Sequence, residues 1–274
     1  MLPADRPALM GILNVTPDSF SERGLNYNRS VAIAAAKRMV DEGADLIDIG
    51  GESTRPGSNA VPVEEEIARV CPVIEAAAGL GVPISVDTKK HEVARVALEA
   101  GASIVNDVSA LGDPQMVGVC ADSGCLVCLM HMKGDPSTMQ RSPAYDDVVA
   151  EVTGFLLDRS ALAISNGIGR DRIWLDPGIG FGKAVIHNLE LLHSLPRLVA
   201  SGHPILVGVS RKSFIGAISG ADVDCRIPGT LAAQVLAQVA GVRVIRAHDV
   251  GEARQSIDVA AAILRPSLFS KRPA

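Results

Sequence analysis

The sequence predicts an α/β fold, a single (β/α)8 barrel of the TIM-barrel type. Eight short apolar runs each end on or contain a polar side chain, and a stretch of helical length follows each run. This strand–helix unit returns about every 20 to 40 residues, as the units of such barrels do. The reacting groups of these barrels lie where the strands end, so the repeat also predicts the position of an active site.

The apolar runs and the amphipathic stretches set the boundaries of the predicted elements. Pro72 lies inside the second helical stretch and is expected to kink or split that helix. The predicted strands are 8–15, 46–50, 84–88, 104–108, 126–131, 173–176, 205–210 and 244–249. The predicted helices are 30–42, 63–79, 90–100, 113–123, 145–165, 187–200, 227–240 and 250–264.

Composition predicts an aliphatic core, because hydrophobic residues make up 47% of the 274 residues and aromatic residues only 3%. Aliphatic side chains suit strands that are covered on both faces. No linker, charge run or low-complexity tract divides the chain, so residues 1–274 are expected to form one domain. Five cysteines at irregular spacing do not predict a disulfide framework.

Charge and hydropathy indicate which binding partners and which cellular location to expect for the protein. A net charge of −5 argues against nucleic acid and anionic membranes as partners. No apolar run reaches the roughly 18 residues that a membrane span needs, and residues 1–7 lack the apolar segment of a signal peptide. We therefore expect a cytoplasmic protein that acts on small molecules.

Two connections between a strand and the next helix are long, namely residues 16–29 and 52–62. Both are rich in Gly, Pro, Ser, Thr and Asn, and both leave the face that is predicted to carry the active site. Long loops in compact domains are usually functional, so we interpret them as lids. The alternative is that they are ordinary irregular loops.

Asp87, Asn106 and Asp176 lie at the ends of three different predicted strands. Carboxylates and an amide that converge in a barrel mouth can hold a planar ring bearing several N–H donors, since a carboxylate accepts two parallel hydrogen bonds. Each residue alone could simply cap a strand. Together they favour a binding site, because buried charges without partners are unfavourable by several kcal/mol.

A second cluster of polar side chains is cationic. Lys212 follows the seventh predicted strand, and Arg246 and His248 lie in the eighth. Barrels commonly bind phosphate after strands seven and eight, which predicts an anion site on a wall separate from the acidic one. Asn14, at the end of the first strand, could complete this site or bind a metal that bridges phosphates. The alternative, a set of surface salt bridges, is strongest for the neighbouring Arg211.

Other chemistries find less support in the sequence. His131 is interpreted as a hydrogen-bonded wall residue rather than a catalytic base. There is no His and Cys spacing of a metal site, no nucleophile elbow and no dinucleotide-binding fingerprint.

The motifs, in their order along the chain, resemble those of the dihydropteroate synthase family. The first two are long and specific, Gly11-Ile-Leu-Asn-Val-Thr-Pro-Asp-Ser-Phe-Ser21 and Asp48-Ile-Gly-Gly-Glu-Ser-Thr-Arg-Pro-Gly57. Shorter matches follow at Asp87, Asn106, His131, 176–183, 210–213 and 246–249. The resemblance covers residues 8–265.

The resemblance implies an enzyme that condenses 6-hydroxymethyl-7,8-dihydropterin pyrophosphate with para-aminobenzoate. The products would be 7,8-dihydropteroate, an intermediate of folate biosynthesis, and pyrophosphate, with Mg²⁺ assisting. It also implies a homodimer and a family that sulfonamides target and in which resistance to them arises.

The resemblance further implies a role for individual residues. Asp87, Asn106, Asp176 and Lys212 would bind the pterin. Asn14, Arg246 and His248 would bind the pyrophosphate, with Asn14 also on the metal. Asp87, Lys212 and Asn14 would take part in catalysis. Phe20, Thr54, Arg55, Pro56, Phe181 and Ser213 would line the aminobenzoate pocket.

One departure and two alternatives qualify this expectation. The family usually continues Ser21 with Asp-Gly-Gly, whereas this chain has Glu22-Arg23-Gly24, which adds a charge to the first predicted lid. One alternative is a pterin-dependent methyltransferase domain, which should lack the cationic cluster. The other is a non-catalytic pterin-binding protein.

Overall fold

The computed structural model describes residues 2–16, 25–53, 57–58, 60–135 and 138–269, with the backbone alone at 25–28 and 268–269. Eight strands form one parallel sheet in the order β6-β5-β4-β3-β2-β1-β8-β7. They are β1 (Ala8–Asn14), β2 (Leu46–Gly50), β3 (Ile84–Asp87), β4 (Ile104–Asp107), β5 (Leu126–Met130), β6 (Ile173–Asp176), β7 (Leu206–Gly208) and β8 (Val244–Ala247). A parallel bridge from Leu175 to Ile205 joins β6 to β7.

This bridge closes the sheet, so the predicted (β/α)8 barrel is confirmed. Every predicted strand is present, within two residues at each end. The predicted strands match because most of their residues are buried on both faces of the sheet, and such strands form nearly continuous apolar runs in the sequence. Their carboxyl ends meet at one rim, and that rim carries the polar side chains.

Helices surround the barrel. They are α1 (Leu25–Asp41), α2 (Val63–Ala77), α3 (His91–Glu99), α4 (Met116–Ser123), α5 (Val148–Ser165), α6 (Val185–His193), α7 (Leu195–Val199), α8 (Ser213–Ser219), α9 (Ile227–Val239), α10 (Val250–Leu264) and α11 (Pro266–Phe269). The predicted helix 187–200 is two helices, and α8 was not predicted. With seven residues and an internal Gly216, α8 is too short to show a helical period. None of the described helices is long and apolar enough to cross a bilayer.

Pro72 does not split its helix, and the kink that was the other expected outcome stays a prediction. Residues 63–77 form one helix with Pro72 in its interior. Proline removes one backbone hydrogen bond there. The flanking Val70, Cys71, Val73 and Ile74 are buried against the barrel, and their burial outweighs that loss.

Connections at the carboxyl ends of the strands differ from the prediction in two ways. The first long connection is shorter than expected, because α1 begins at Leu25. A third long connection, residues 131–147 between β5 and α5, was not anticipated. Residues 17–24 of the first connection and 54–56 and 59 of the second lie outside the described residues, and the interpretation of both connections as lids stays a prediction. In the described part of the second, the Lys90 ammonium binds the Glu52 carboxylate at 2.6 Å and the Val61 carbonyl at 2.6 Å.

An ionic network lies at the opposite end of the barrel, before β1 and β2. The Asp45 carboxylate accepts hydrogen bonds from Arg6 at 2.6 and 2.8 Å and from the Leu9 amide at 2.8 Å. Arg254 of α10 approaches it at 3.4 Å. Burial raises the pKa of Asp45, but the hydrogen bonds from Arg6 and Leu9 outweigh it and hold this pKa below its usual value.

Asp45→Asn is expected to lower the free energy of unfolding by about 2–3 kcal/mol at neutral pH, because charged hydrogen bonds are lost. A carboxyl with a lowered pKa stabilises the fold above its ordinary pKa, and this contribution disappears as the pH falls through the folded-state pKa. Urea unfolding near neutral pH and in acid measures the loss of stability and its dependence on pH. The control is Asp258→Asn, whose half-exposed carboxylate pairs with Arg254; it should lose less than about 1 kcal/mol. Equal losses in the two variants would contradict the prediction.

Candidate active site

The side chains that point into the barrel change from apolar to polar along the strands. The apolar floor consists of Ala8, Met10, Leu46, Ile104, Cys128, Trp174, Leu206 and Val244. Side chains alternate with a period of two, so the residue two positions later faces the same interior. Those positions hold Asp48 after Leu46, Asn106 after Ile104, Asp176 after Trp174 and Arg246 after Val244. A polar layer therefore lies on the apolar floor.

Arg246 lies between two carboxylates in this layer. Its Nε donates to Asp48 at 2.6 Å, and its Nη2 donates to Asp87 at 2.8 Å. The Asn106 amide also donates to Asp48, at 3.0 Å. Asp48 is fully buried, and Asp87 and Asn106 are nearly so. One arginine thus compensates two buried carboxylates, which is a marginal balance.

The second oxygens of Asp48 and Asp87 are buried without a hydrogen-bond partner among the described residues. Burial and the neighbouring Asp48 raise the pKa of Asp87 to about 7, although Arg246 opposes the shift. Unpaired buried acceptors are unfavourable unless a donor reaches them. Each unpaired oxygen can therefore accept an N–H group that reaches it.

Asp176 and Lys212 face each other across the same mouth. Asp176 ends β6, and its Oδ1 accepts from the Gly178 amide at 2.7 Å. Lys212 precedes α8, and its ammonium donates to the Ile179 carbonyl. Burial lowers the pKa of Lys212 to about 8 against the attraction of Asp176. The same ammonium lies 4.4 Å from the centroid of the Phe181 ring, so one cation contacts an aromatic side chain and is attracted by Asp176.

The cationic residues do not form the separate wall that the sequence suggested. Arg246 is enclosed by Asp48 and Asp87, so acidic and basic groups are interleaved. The salt-bridge alternative applies to Arg211, whose guanidinium pairs with Asp249 at 3.0 Å. His248, one residue beyond β8, stays at the rim with Nδ1 at 3.0 Å from the Ser210 hydroxyl.

The remaining predicted site residues divide into two groups. Asn14 ends β1 with a partly exposed side chain, and Ser213 begins α8 beside Lys212. Both lie at the rim. Phe20, Thr54, Arg55 and Pro56 lie outside the described residues. The predicted site residues that the structure describes therefore lie at the carboxyl ends of the strands, and their individual roles stay predictions.

Two buried groups in this region were given no role by the sequence. Asp48 was recognised only as part of a strand, although a carboxylate within an aliphatic run is itself a signal of an inward-facing polar position. Lys183 is only 3% exposed, and its ammonium lies 2.9 Å from His131 Nδ1. Burial and the charge of Lys183 lower the pKa of His131 to about 3. The interpretation of His131 as a hydrogen-bonded wall residue is confirmed.

Comparison with known proteins agrees with this geometry. The family model described as pterin binding enzyme matches residues 10–248. The dihydropteroate synthase of Escherichia coli strain K12 is 46% identical over 264 residues, which are 96% of this chain and 94% of that protein.

Solved structures give the same result. The Xanthomonas albilineans dihydropteroate synthase with 4-aminobenzoic acid has a TM-score of 0.89 at 46% identity, covering 98% of this chain and 95% of that one. The enzyme of the same organism in complex with 7,8-dihydropteroate has a TM-score of 0.87 at 44% identity, covering 99% and 97%. Sequence, fold and rim geometry agree, and the chain belongs to the dihydropteroate synthases, a family of pterin-binding enzymes.

Proposed function

We propose that this enzyme condenses 6-hydroxymethyl-7,8-dihydropterin pyrophosphate with para-aminobenzoate to give 7,8-dihydropteroate and pyrophosphate. The observation that carries the proposal is the meeting of Asp87, Asn106, Asp176 and Lys212 at one barrel mouth, with the ring of Phe181 beside Lys212. A pterin ring needs acceptors for its N–H groups and a donor for its carbonyl. This mouth supplies both.

The pterin would lie with its N–H edge toward the carboxylates. Asp176 and Asp87 would accept from the ring, and Asn106 pairs donor with acceptor while its own Nδ2 stays on Asp48. Lys212, which has only donors, would bind a ring acceptor. The donors of the ligand would satisfy the unpaired oxygens of Asp48 and Asp87, so binding relieves an unfavourable feature of the empty mouth.

The leaving pyrophosphate would lie toward Asn14, Arg246 and His248. His248 and Arg246 follow β7 in the barrel, where phosphate sites are common. Asn14 offers a hard amide oxygen, the ligand type of Mg²⁺, and one protein oxygen with diphosphate oxygens fits the way this ion usually binds. Mg²⁺ would supply neutralisation of the charge on the leaving group.

Bond breaking would precede bond making. The C–O bond to pyrophosphate breaks with its electron pair on oxygen, which leaves a cation conjugated with the pterin. Asp87 lies within the polar layer and would stabilise that positive charge. The amine nitrogen of aminobenzoate then attacks, and its proton passes to solvent or to pyrophosphate. No strong protein base is needed, since an aniline nitrogen is largely unprotonated at neutral pH.

A pyrophosphate-release assay with purified protein, Mg²⁺ and both substrates tests the proposal. Release should depend on both substrates, and dihydropteroate should form in equal amount. The same assay tests whether Glu22 and Arg23 of the first predicted lid impair the enzyme, and we expect turnover to persist with them. Pterin binding without pyrophosphate release would instead support a non-catalytic pterin-binding protein. Methyl transfer would support the methyltransferase alternative.

We also propose a homodimer through α9 and α10, which pack against each other. Their outer faces expose Leu236 and Ile263, which are 69% and 72% exposed as residues, together with Val239 and Val259. Contiguous exposed apolar patches of this kind mark interaction sites. A two-fold interface would bring the same patch of two copies together.

Leu236→Glu combined with Ile263→Glu is expected to convert the dimer into a monomer, because four buried charges would face one another across the two-fold axis. Analytical ultracentrifugation measures the change. Ile218→Glu on α8, where the native residue is 61% exposed, is the matched control and should stay dimeric. A monomeric wild-type protein, or a double variant that stays dimeric, would contradict the proposed interface.

Two further expectations belong to the same proposal. Sulfonamides would compete with aminobenzoate at the pocket beside Phe181 and Ser213, and resistance would arise from changes there. The cytoplasmic location stays a prediction from the N-terminal sequence and the charge.

A further inference from the structure

The connection between β6 and α6, residues 177–184, is held from the side of β5. At Gly178 an added Cβ would lie 1.9 Å from the His131 carbonyl oxygen, and at Gly182 it would lie 2.3 Å from that of Lys133. Both glycines have positive φ, at 65° and 63°. The backbone of this connection therefore lies directly against the start of the connection that follows β5.

Lys183 lies at the centre of this contact. Its ammonium is 2.9 Å from His131 Nδ1, 2.9 Å from the Phe181 carbonyl oxygen and 3.3 Å from the His131 carbonyl oxygen. The three N–H donors of an ammonium thus meet three acceptors. Burial lowers the pKa of Lys183 to about 7; in its ammonium form the amine accepts nothing, so His131 Nδ1 is then the acceptor. With only 3% of the residue exposed, water cannot replace these bonds.

Groups that the proposed reaction uses lie in this connection or directly beside it. Asp176 immediately precedes it, and the backbone carbonyl of Phe181 is one of the acceptors on Lys183. The ring of Phe181 in turn lies under the Lys212 ammonium. On the far side, the Gly180 amide donates to Asn188 at 2.6 Å. Loss of the Lys183 ammonium would remove the hydrogen bond that fixes the Phe181 carbonyl, although other hydrogen bonds to this segment remain.

We infer that Lys183 is a positioning residue for the amine substrate, which acts by anchoring the Phe181 carbonyl to His131. The inference rests on the proposed function, since it concerns the pocket that Phe181 is proposed to line. It assigns no contact between Lys183 and either substrate. Asp176 is held by the sheet itself through its β6 pairing with Met130, so the pterin side should depend on Lys183 much less.

Lys183→Met is the test, because methionine keeps a similar length but has no donor. The KM for aminobenzoate should rise by about tenfold or more, the size of effect that a misplacement of about 1 Å produces. The dissociation constant of 6-hydroxymethylpterin, from calorimetry, should change by less than about threefold. The matched control is Lys133→Met. Lys133 is on the neighbouring segment, its half-exposed ammonium contacts Ala144 and Glu151, and both constants should stay within about twofold of wild type.

The inference is overturned if the KM for aminobenzoate in Lys183→Met stays within about twofold of wild type, or if pterin affinity falls by the same factor. Should this variant not fold, Lys183→Gln keeps two N–H donors and should show a smaller rise in the same KM; an unchanged KM in that folded variant also overturns it. Wild-type protein that releases no pyrophosphate would instead reject the proposed function, so the two failures are distinguishable.

Discussion

Arg246→Met is expected to reduce kcat/KM for the pterin substrate by roughly a thousandfold, because it removes a preorganised charge from the reacting region. It should also lower the free energy of unfolding by about 3–5 kcal/mol, the usual result of removing one partner from a buried ion pair. Asp48 and Asp87 would both remain buried, and Arg246 is the guanidinium that binds each of them.

The pH dependence of the loss in unfolding free energy identifies the cause of that loss. Burial and Asp48 already raise the pKa of Asp87, and Arg246 opposes this, so the variant should raise it further. A carboxyl with a raised pKa stabilises the fold at low pH, and that contribution is lost as the pH rises through the folded-state pKa. Urea unfolding of the variant should therefore show a larger deficit at about pH 8 than at about pH 5.

Arg243→Met is the matched control. Arg243 lies three residues earlier, and its guanidinium binds the Pro3 carbonyl near the amino ends of the strands. It should retain nearly full activity. If Arg246→Met kept its activity, or if its loss of stability were the same at both pH values, the assignment of Arg246 as the counter-ion of the two carboxylates would be wrong.

Lys212→Met is expected to reduce kcat/KM for the pterin substrate by about a hundredfold, since the variant loses the cation that faces Asp176. In the wild type, burial lowers the pKa of Lys212 to about 8. The ammonium form is the one that binds, so kcat/KM should decline as the pH rises through that value. This parameter reports groups of the free enzyme.

Two variants check that prediction. Lys212→Arg keeps its charge at all accessible pH values, so its profile should lose the alkaline decline even if its rate is lower. Arg211→Met removes the adjacent cation, which pairs with Asp249, and should retain activity within about tenfold. A wild-type kcat/KM that is flat from pH 7 to about pH 10 would contradict the role of Lys212.

The sequence predicted those parts of the site that follow from the apolar runs and from the parallel order of the strands. Asp87 and Asp176 end aliphatic runs, and parallel strands deliver their ends to one rim, so the convergence of these residues followed from the repeat. Asn106 and Arg246 were found in the same way. The resemblance of the motifs to a known family then implied the substrates and the reaction, which the spacing of the polar residues alone could not indicate.

What the sequence did not predict depends on contacts between distant residues. Arg246 meets Asp48 across 198 positions, and Lys183 meets His131 across 52. Neither separation has a local signal, so the sequence did not predict that Arg246, which is also proposed to bind pyrophosphate, pairs with two carboxylates. Pro72 failed as a helix breaker for a related reason, because the burial of its neighbours depends on tertiary packing.

A crystal structure of this protein with a non-hydrolysable pterin pyrophosphate and aminobenzoate is the most direct test of the site. The polar layer above the apolar floor should hold the pterin, with N–H groups of its ring at roughly 2.7–3.1 Å from the Asp176 and Asp87 carboxylates. Aminobenzoate should lie beside Phe181 and Ser213. A pterin bound away from this layer, or with its diphosphate beside Asp176, would contradict the account.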